Sequence, residues 1–123
     1  MLEGVLIMSS KFKNDYGIVS IDDNVLATIA GLSAMECYGI VGMASKNATD
    51  GFFELVRWEN LVKGVKVYTK DNEVSVDLHV ILQYGVRITV VAANIIEKVK
   101  YNLENYTGLK VNKVNILVQG INV

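Results

Sequence analysis

The clearest pattern in this chain is an alternation of apolar and polar residues between Gly64 and Gly85. Alternation of this kind is typical of strands that bury one face. The dipeptide Asp71-Asn72 interrupts it and suits the two-residue turn of an antiparallel hairpin. The pattern therefore predicts a hairpin with one apolar face. Its members are Val65, Val67, Thr69, Val74, Val76, Leu78 and Val80.

The other face of this hairpin is polar. A turn at 71–72 places Lys66 opposite Asp77 and Lys70 opposite Glu73, so opposite charges face each other across the strands. A register shifted by one residue would mix the two faces. We interpret His79, which lies on the polar face, as an exposed histidine near Asp77, because no nucleophile motif accompanies it.

Two segments carry apolar residues at helical spacing. The first begins at Asp22 or Asp23, either of which can cap a helix N-terminus. The second spans residues 86–107 and ends before Gly108, where a left-handed cap is expected. The predicted buried stripe of the first helix is Val25, Ile29 and Leu32 with Leu26, Ala30 and Ala34 beside them. That of the second is Ala92, Ile95, Ile96, Val99 and Leu103, extended by Tyr106.

The last strand is predicted to have an inward row and an outward row. Val114, Ile116 and Val118 share one face, whereas Leu109 and Val111 have the opposite parity. This change of parity predicts a bulge or bend near 112–113. The outward row mixes amides with apolar side chains, a composition that suits a partner or self-association surface. Its members are Asn115, Leu117, Gln119 and Ile121.

The remaining elements are shorter. Strands are predicted at 16–21 and 38–45, whereas 46–63 is compatible with either a short helix or an ordered loop. Within it, Phe52 and Trp58 either cap the core or form an exposed aromatic patch for a partner. We expect a single domain at 16–123, preceded by an extension at 1–15. That extension is either partly ordered or begins at a misassigned start, because the sequence from Met8 reads as a natural N-terminus.

The order of elements predicts the fold class. Strand–helix–strand followed by hairpin–helix–strand indicates an α+β protein, a two-layer sandwich in which a mixed sheet carries two main helices on one face. At 123 residues the chain is long enough for one core. The other face of the sheet is then left to water or to a partner.

Composition excludes several classes of function. A net charge of −1 provides no basic surface for nucleic acid, and no apolar run is long enough to span a membrane. The single cysteine, Cys37, excludes an internal disulfide, and with one histidine a zinc site within one chain is unlikely. We interpret Cys37 as a buried, inert thiol. The glycines match neither a P-loop nor a dinucleotide fingerprint. We therefore expect no catalytic, cofactor-binding or metal-binding residue.

Two long stretches of the chain resemble a known family. "YGIVSIDDNVLATIAGLSAMECYGIVGMA" and "YGVRITVVAANIIEKVKYNLENYTGLKVNKVNILVQGI" resemble the two halves of the alkaline shock protein family, also called the envelope stress response family of Gram-positive bacteria. The resemblance covers 16–121. It lies in the order and spacing of several motifs, none of which is catalytic.

The resemblance implies a cytoplasmic, non-enzymatic protein. We expect it either to self-associate or to dock on a membrane-associated protein partner. Larger members gather at the membrane through a separate anchoring protein and are linked to envelope and alkaline stress. This chain lacks their charged tails and is closer to the short housekeeping members, whose genes often lie beside a fatty-acid-kinase-like gene. That neighbourhood implies an alternative, an accessory protein that binds an acyl chain or another small molecule for an enzyme.

Overall fold

A computed structural model of the chain describes residues 6–8, 11–44, 55–56 and 63–123, and the side chains of 13–44 and 63–123. It confirms the predicted α+β class, with a mixed sheet and two helices. The elements are β1 (Leu6–Met8), β2 (Lys11–Asn14), β3 (Gly17–Ser20), α1 (Asp23–Met35), β4 (Ile40–Ala44), β5 (Leu55–Val56), β6 (Val65–Lys70), β7 (Glu73–Gln83), α2 (Ile88–Thr107) and β8 (Lys110–Asn122).

β7 is the central strand of the main sheet. β6 and β4 pair with it antiparallel, β6 along its first half and β4 along its second. β8 runs parallel to β7 over its whole length and therefore occupies the opposite edge. Because parallel neighbours need a crossover connection, α2 has to pass over one face of the sheet between β7 and β8. This crossover fixes the side on which the core forms.

The hairpin β6–β7 has the predicted register. Lys66 lies opposite Asp77 and Lys70 opposite Glu73. Asp71 and Asn72 have φ angles of 49° and 70°, and positive φ at both central residues is what a type I′ turn requires. The predicted inward row of β7 is buried, so the alternation of the sequence translates directly into two faces.

The core lies between this inward row and the two helices. α1 packs on β4, β6 and β7, and α2 packs on α1 and β8. The inward residues of β7 and the buried stripe of α2 belong to one cluster of buried side chains. The largest fully buried side chains of the core include Leu26, Met43, Leu78, Leu82, Ile95 and Leu103.

The buried face of α1 differs from the predicted one. Asp22 caps the helix as expected, accepting a 2.8 Å hydrogen bond from the Asn24 N–H. Val25 and Leu32, however, are 47% and 39% exposed. Since α1 is apolar on most sides, periodicity does not select its inner face. The structure buries Leu26 as predicted, together with a row of small residues that includes the predicted Ala30 and Ala34 and allows close approach of α2. This row comprises Ala27, Ala30, Gly31, Ser33 and Ala34.

A polar contact joins the two helices inside this close approach. Ser33 is only 2% exposed, yet its hydroxyl is satisfied. It donates to the Ile29 carbonyl oxygen at 2.6 Å and accepts from Asn102 Nδ2 at 2.8 Å. A buried hydroxyl without such partners would cost about 1–3 kcal/mol. The pair therefore fixes how α1 and α2 meet.

The stripe of α2 is largely as predicted. Ile95, Val99 and Leu103 are buried, and Gly108 ends the helix with φ 76°. Val91 completes the buried stripe, while Ala92 and Ile96 are half-buried beside it. The extension to Tyr106 was wrong. Its side chain is 71% exposed, because the stripe ends at Leu103 before the chain turns into β8.

β8 contains two bulges. The predicted bulge near 112–113 is confirmed, since pairing moves from Val111 directly to Lys113 and leaves Asn112 as the extra residue. A second shift, between Val118 and Gly120, leaves Gln119 as the extra residue. Each bulge reverses the parity of the strand. The two together decide which β8 residues face the helices.

The strand expected at 16–21 lies in a separate sheet. β3 pairs with β2, and β2 with β1, in a three-stranded antiparallel arrangement. Ile18 and Val19 of β3 are 61% and 60% exposed. The apolar residues of β3 are therefore not part of the main core. The domain boundary at residue 16 stays a prediction.

Ile95→Ala tests the packing of α2. Ile95 is 0% exposed, so its truncation should lower the free energy of unfolding by about 2–5 kcal/mol. The matched control is Val90→Ala on the same helix, where the side chain is 49% exposed and the expected change is within about 0.5 kcal/mol. Urea titration measures both. Equal losses in the two variants would contradict the described orientation of α2.

Asn72→Gly tests the hairpin turn. Asn72 has φ 70°, and its buried Oδ1 has no hydrogen-bond partner among the described residues. Glycine adopts a positive φ without strain and has no amide oxygen to leave unpaired. The substitution should therefore stabilise the protein by about 0.5–1 kcal/mol. Asn72→Ala also removes the amide but keeps a Cβ at positive φ, and should destabilise by about 1 kcal/mol. Thermal unfolding of both variants measures the difference, and alanine at least as stable as glycine would exclude the described turn.

Candidate interaction surface

The outward face of the main sheet is the side away from α1 and α2. It is formed by alternate residues of β6, β7 and β8, which the register aligns in rows across the three strands. We use the term outward face for these residues. They are Lys66, Tyr68, Lys70, Glu73, Ser75, Asp77, His79, Lys113, Asn115 and Leu117.

A hydrogen bond links β7 and β8 at the centre of the outward face. Asn115 Nδ2 donates to Asp77 Oδ1 at 2.8 Å, and the bond is exposed to solvent. In the same row Lys66 lies opposite Asp77. The Lys66 ammonium is 5.2 Å from the centre of the Tyr68 ring, within the range of a cation–π contact. Lys66 therefore contacts the Tyr68 ring, and Asn115 is hydrogen-bonded to the Asp77 carboxylate.

The acidic residues of the hairpin make their polar contacts with β8. Asp77 accepts from Asn115, and Glu73 lies 3.6 Å from Lys110 Nζ. The predicted alignment of opposite charges within the hairpin is correct, but the parallel partner β8 supplies these contacts. Both residues of the Glu73–Lys110 pair are exposed, so the pair contributes less than about 1 kcal/mol.

His79 lies on the outward face, in register with Leu117. Its side chain is half-buried rather than exposed, which corrects the prediction. Ser75 is the hydroxyl on the same row of β7, four residues away. That spacing is about 13 Å along a strand, far beyond hydrogen-bond distance. The outward face therefore does not bring a serine to this histidine.

The predicted outward row of β8 is only partly correct. Asn115 and Leu117 lie on the outward face, and Leu117 is 37% exposed. Gln119 is the extra residue of the second bulge. Ile121 pairs with Leu82 and belongs to the helix side, because that bulge reverses the parity after Val118. The remaining two candidates, Phe52 and Trp58, lie outside the described residues. A binding role for any of the six stays a prediction.

Lys66 and Tyr68 were missed as candidate interaction residues. Both were assigned correctly to the polar face of the hairpin, and the sequence contained the signal. Tyr68 places a large aromatic ring on the otherwise polar face of the hairpin, and aromatic rings are enriched in protein interfaces. Its side chain is 46% exposed. It therefore belongs with Leu117 among the residues that a partner could cover.

A cavity lies on the outward side near the hairpin turn. It measures about 390 Å³ and is open to solvent. Five of its six lining residues are of charged or polar type, and the sixth is Tyr68. A cavity of this kind does not provide the apolar enclosure that an acyl chain needs. Its lining residues are Tyr68, Lys70, Asp71, Glu73, Ser75 and Asn112.

Cys37 follows α1 and is half-buried, so it is less enclosed than predicted. Its Sγ donates to the Ser33 carbonyl oxygen at 3.6 Å. Burial raises the pKa of the thiol, and Glu36 adds to this rise, whereas Lys98 opposes it. Lys98 and Glu36 lie 3.9 Å apart and connect α2 to the end of α1. A raised pKa leaves less of the nucleophilic thiolate at neutral pH.

The described residues offer neither a metal-binding cluster nor a membrane-spanning helix. Among the residues whose side chains are described, no three His, Cys, Asp or Glu cluster closely enough to hold a metal ion. Neither α1 nor α2 is long and apolar enough to cross a membrane. The absence of cofactors and metals stays a prediction for the chain as a whole.

Comparison with known proteins identifies a family. The sequence profile of the Asp23 family, described as having a cell envelope-related function, matches residues 4–123; its name is unrelated to residue 23 of this chain. YloU of Bacillus subtilis, an uncharacterized protein, is 44% identical over 94% of this chain and 98% of its own length. Spy1614 of Streptococcus pyogenes, also uncharacterized, is 46% identical over 94% and 97%.

A more distant relative carries a functional name. A homologue of the stress response regulator gls24 in Streptococcus pyogenes is 29% identical over 85% of this chain and 59% of its own length. No solved structure matches the chain. The resemblance to the alkaline shock and envelope stress family is thereby confirmed.

Alkylation of Cys37 tests the environment at the end of α1. Because burial raises the pKa of the thiol, the thiolate fraction at each pH should be smaller in the folded chain than in the same chain in urea. The iodoacetamide rate should therefore reach its midpoint at higher pH in the folded state. A folded midpoint at or below the unfolded one would show that Lys98 outweighs burial.

Proposed function

The chain belongs to the Asp23 family, and from this premise we propose that it is a non-enzymatic protein of the cytoplasm that docks on protein partners through its outward face. The family description supports a link to the cell envelope, and the gls24 homologue suggests a role under stress. This proposal concerns binding rather than a reaction.

The observation that carries the proposal is the composition of the outward face. Tyr68 and Leu117 expose an aromatic ring and an aliphatic side chain, 46% and 37% respectively, on either side of β7. Between them the Asp77–Asn115 bond presents polar groups that are already held in place. Protein interfaces combine aromatic and aliphatic side chains, which the partner buries, with hydrogen-bonding groups. The Lys66–Tyr68 contact also limits the rotamer freedom that binding would otherwise remove.

Electrostatics supports an indirect route to the membrane. A net charge of −1 gives no general attraction to the anionic lipids of the cytoplasmic leaflet. Neither described helix can cross the bilayer. A protein of envelope-related function with these properties reaches the membrane most simply by binding another protein there. We therefore propose a protein partner, located at or near the membrane, as the occupant of the outward face.

The alternative function is an accessory protein that binds an acyl chain or small molecule. Such a role needs an apolar pocket between the sheet and the helices. Leu26, Leu78 and Ile95 in that layer are each 0% exposed and pack into one cluster. The cavity near the hairpin turn is polar and open. These observations support the docking function over the alternative.

Leu117→Lys tests the docking function. The charge lies on the outward face, where a partner would have to desolvate it, so partner recovery should fall at least about tenfold, the equivalent of about 1.4 kcal/mol. The matched control is Val25→Lys on α1, where the side chain is 47% exposed and outside the outward face. Each tagged variant is cross-linked in its native host cells, and the captured proteins are quantified by mass spectrometry.

Circular dichroism and thermal unfolding establish that both variants fold. Proteins recovered with the native chain and with Val25→Lys, but depleted with Leu117→Lys, are the expected partners. Identical recovery with all three chains would contradict binding through the outward face. Unfolding of Leu117→Lys alone would instead contradict the described exposure of Leu117.

A further inference from the structure

β8 is an edge strand with one unused side. It spans thirteen residues, Lys110–Asn122, and pairs with β7 along one edge. Among the described strands, nothing pairs with its other edge. An unpaired edge presents a row of N–H and C=O groups and is a template for another strand. The Val111 N–H already donates to Glu104 Oε2 at 3.1 Å, so at that end of the edge it is not available to a further strand.

The two bulges make this strand symmetric. Because each bulge reverses the parity, the residues of β8 that face the helices are mirror-symmetric around a central isoleucine, with successive spacings of three, two, two and three positions. All five are β-branched. They are Val111, Val114, Ile116, Val118 and Ile121, centred on Ile116.

From this symmetry we propose that the edge of β8 binds a second copy of this chain. The two β8 strands pair antiparallel about a two-fold axis at Ile116, over residues 113–119, and join the two main sheets into one. A two-fold interface has to be self-complementary, since each surface meets itself. The proposal concerns the edge of β8 rather than the outward face, and it goes beyond the docking function above.

The side chains fit this pairing on both faces. On the helix side Val114 meets the copy's Val118, and Ile116 meets its own counterpart. On the outward face Asn115 meets the copy's Leu117. At each end of the paired segment Lys113 meets the copy's Gln119, the extra residue of the second bulge. No like charges oppose each other, which would be destabilising. Ile116 and Val118 are only partly buried in one chain, so a second copy would cover apolar surface that remains exposed.

Other arrangements lose this fit. Parallel pairing would place each Lys113 beside its own counterpart. An axis at Val114 would set Val111, on the helix side, against the outward Leu117. Only an axis at Ile116 pairs all five helix-side residues with one another. Bulges and lysines also protect edges against open-ended pairing. Here a bulge near each end of β8 limits the pairing to the segment between the bulges, which closes the assembly as a dimer.

Disulfide trapping tests the axis. In a Cys37→Ser background, Ile116→Cys places one thiol directly on the axis. Directly opposed residues have Cα atoms about 4.5–5.5 Å apart, within the range of a disulfide. The matched control is Val118→Cys, on the same strand and face and also partly buried. Its counterpart lies four residues away along the partner strand, more than about 13 Å, too far for a bond.

Each variant is oxidised at low micromolar concentration and examined on a non-reducing gel, and the unmodified chain is measured by size-exclusion chromatography with light scattering. We expect a dimer mass for the unmodified chain, abundant linked dimer for Ile116→Cys and little for Val118→Cys. Equal cross-linking of the two variants, or a monomer mass, would overturn the proposal. If Ile116→Cys does not fold, the mass of the unmodified chain decides alone.

The test separates this inference from the docking function. Partner depletion by Leu117→Lys together with a monomeric chain would leave the docking function standing and reject self-pairing. A dimer linked at Ile116, together with unchanged partner recovery in Leu117→Lys, would support self-pairing and reject the outward face as the site for other proteins.

Discussion

The parallel pairing of β7 with β8 determines the rest of the structure. Because parallel neighbours cannot be joined by a tight turn, the chain has to cross over the sheet, and α2 is that crossing. Its buried stripe packs on β8 and α1 and shares one core with the inward row of β7, where Val76, Leu78 and Val80 are each 0% exposed. α1 then packs beside α2 and completes the helical layer. One strand pairing therefore places the core on one face and leaves Tyr68 and Leu117 exposed on the other.

The same pairing determines which residues of β8 face the helices and which lie on the outward face. Asn112 and Gln119 are inserted relative to β7, and each insertion turns the following residues over. Without the second bulge, Ile121 would join Asn115 and Leu117 on the outward face. With it, Ile121 returns to the helix side, and the helix-side residues become symmetric about Ile116. The bulges thus account for both the composition of the outward face and the proposed self-complementary edge.

The sequence predicted well those features that local chemistry controls. Alternation and the Asp71-Asn72 turn predicted the hairpin register, and a parity change predicted the bulge at Asn112. It failed where tertiary contacts decide. On α1, which is apolar on most sides, the predicted stripe correctly included Leu26, Ala30 and Ala34 but also Val25 and Leu32, which are exposed. The bulge at Gln119 had one available signal, Gly120, since glycine within a strand often marks a bulge. The separate sheet of β3 follows from pairing with β2, which alternation alone does not reveal.

The central claim is that the outward face, rather than a pocket or a catalytic group, carries the function. A saturation substitution scan in the native host under envelope stress tests this most directly, with protein abundance measured for every variant. The account predicts that substitutions at Tyr68, Asp77, Asn115 and Leu117 reduce survival at normal abundance, while exposed helix positions such as Val25, Val90 and Tyr101 tolerate change. Tolerance at the outward face, with sensitivity at the helix positions, would contradict it.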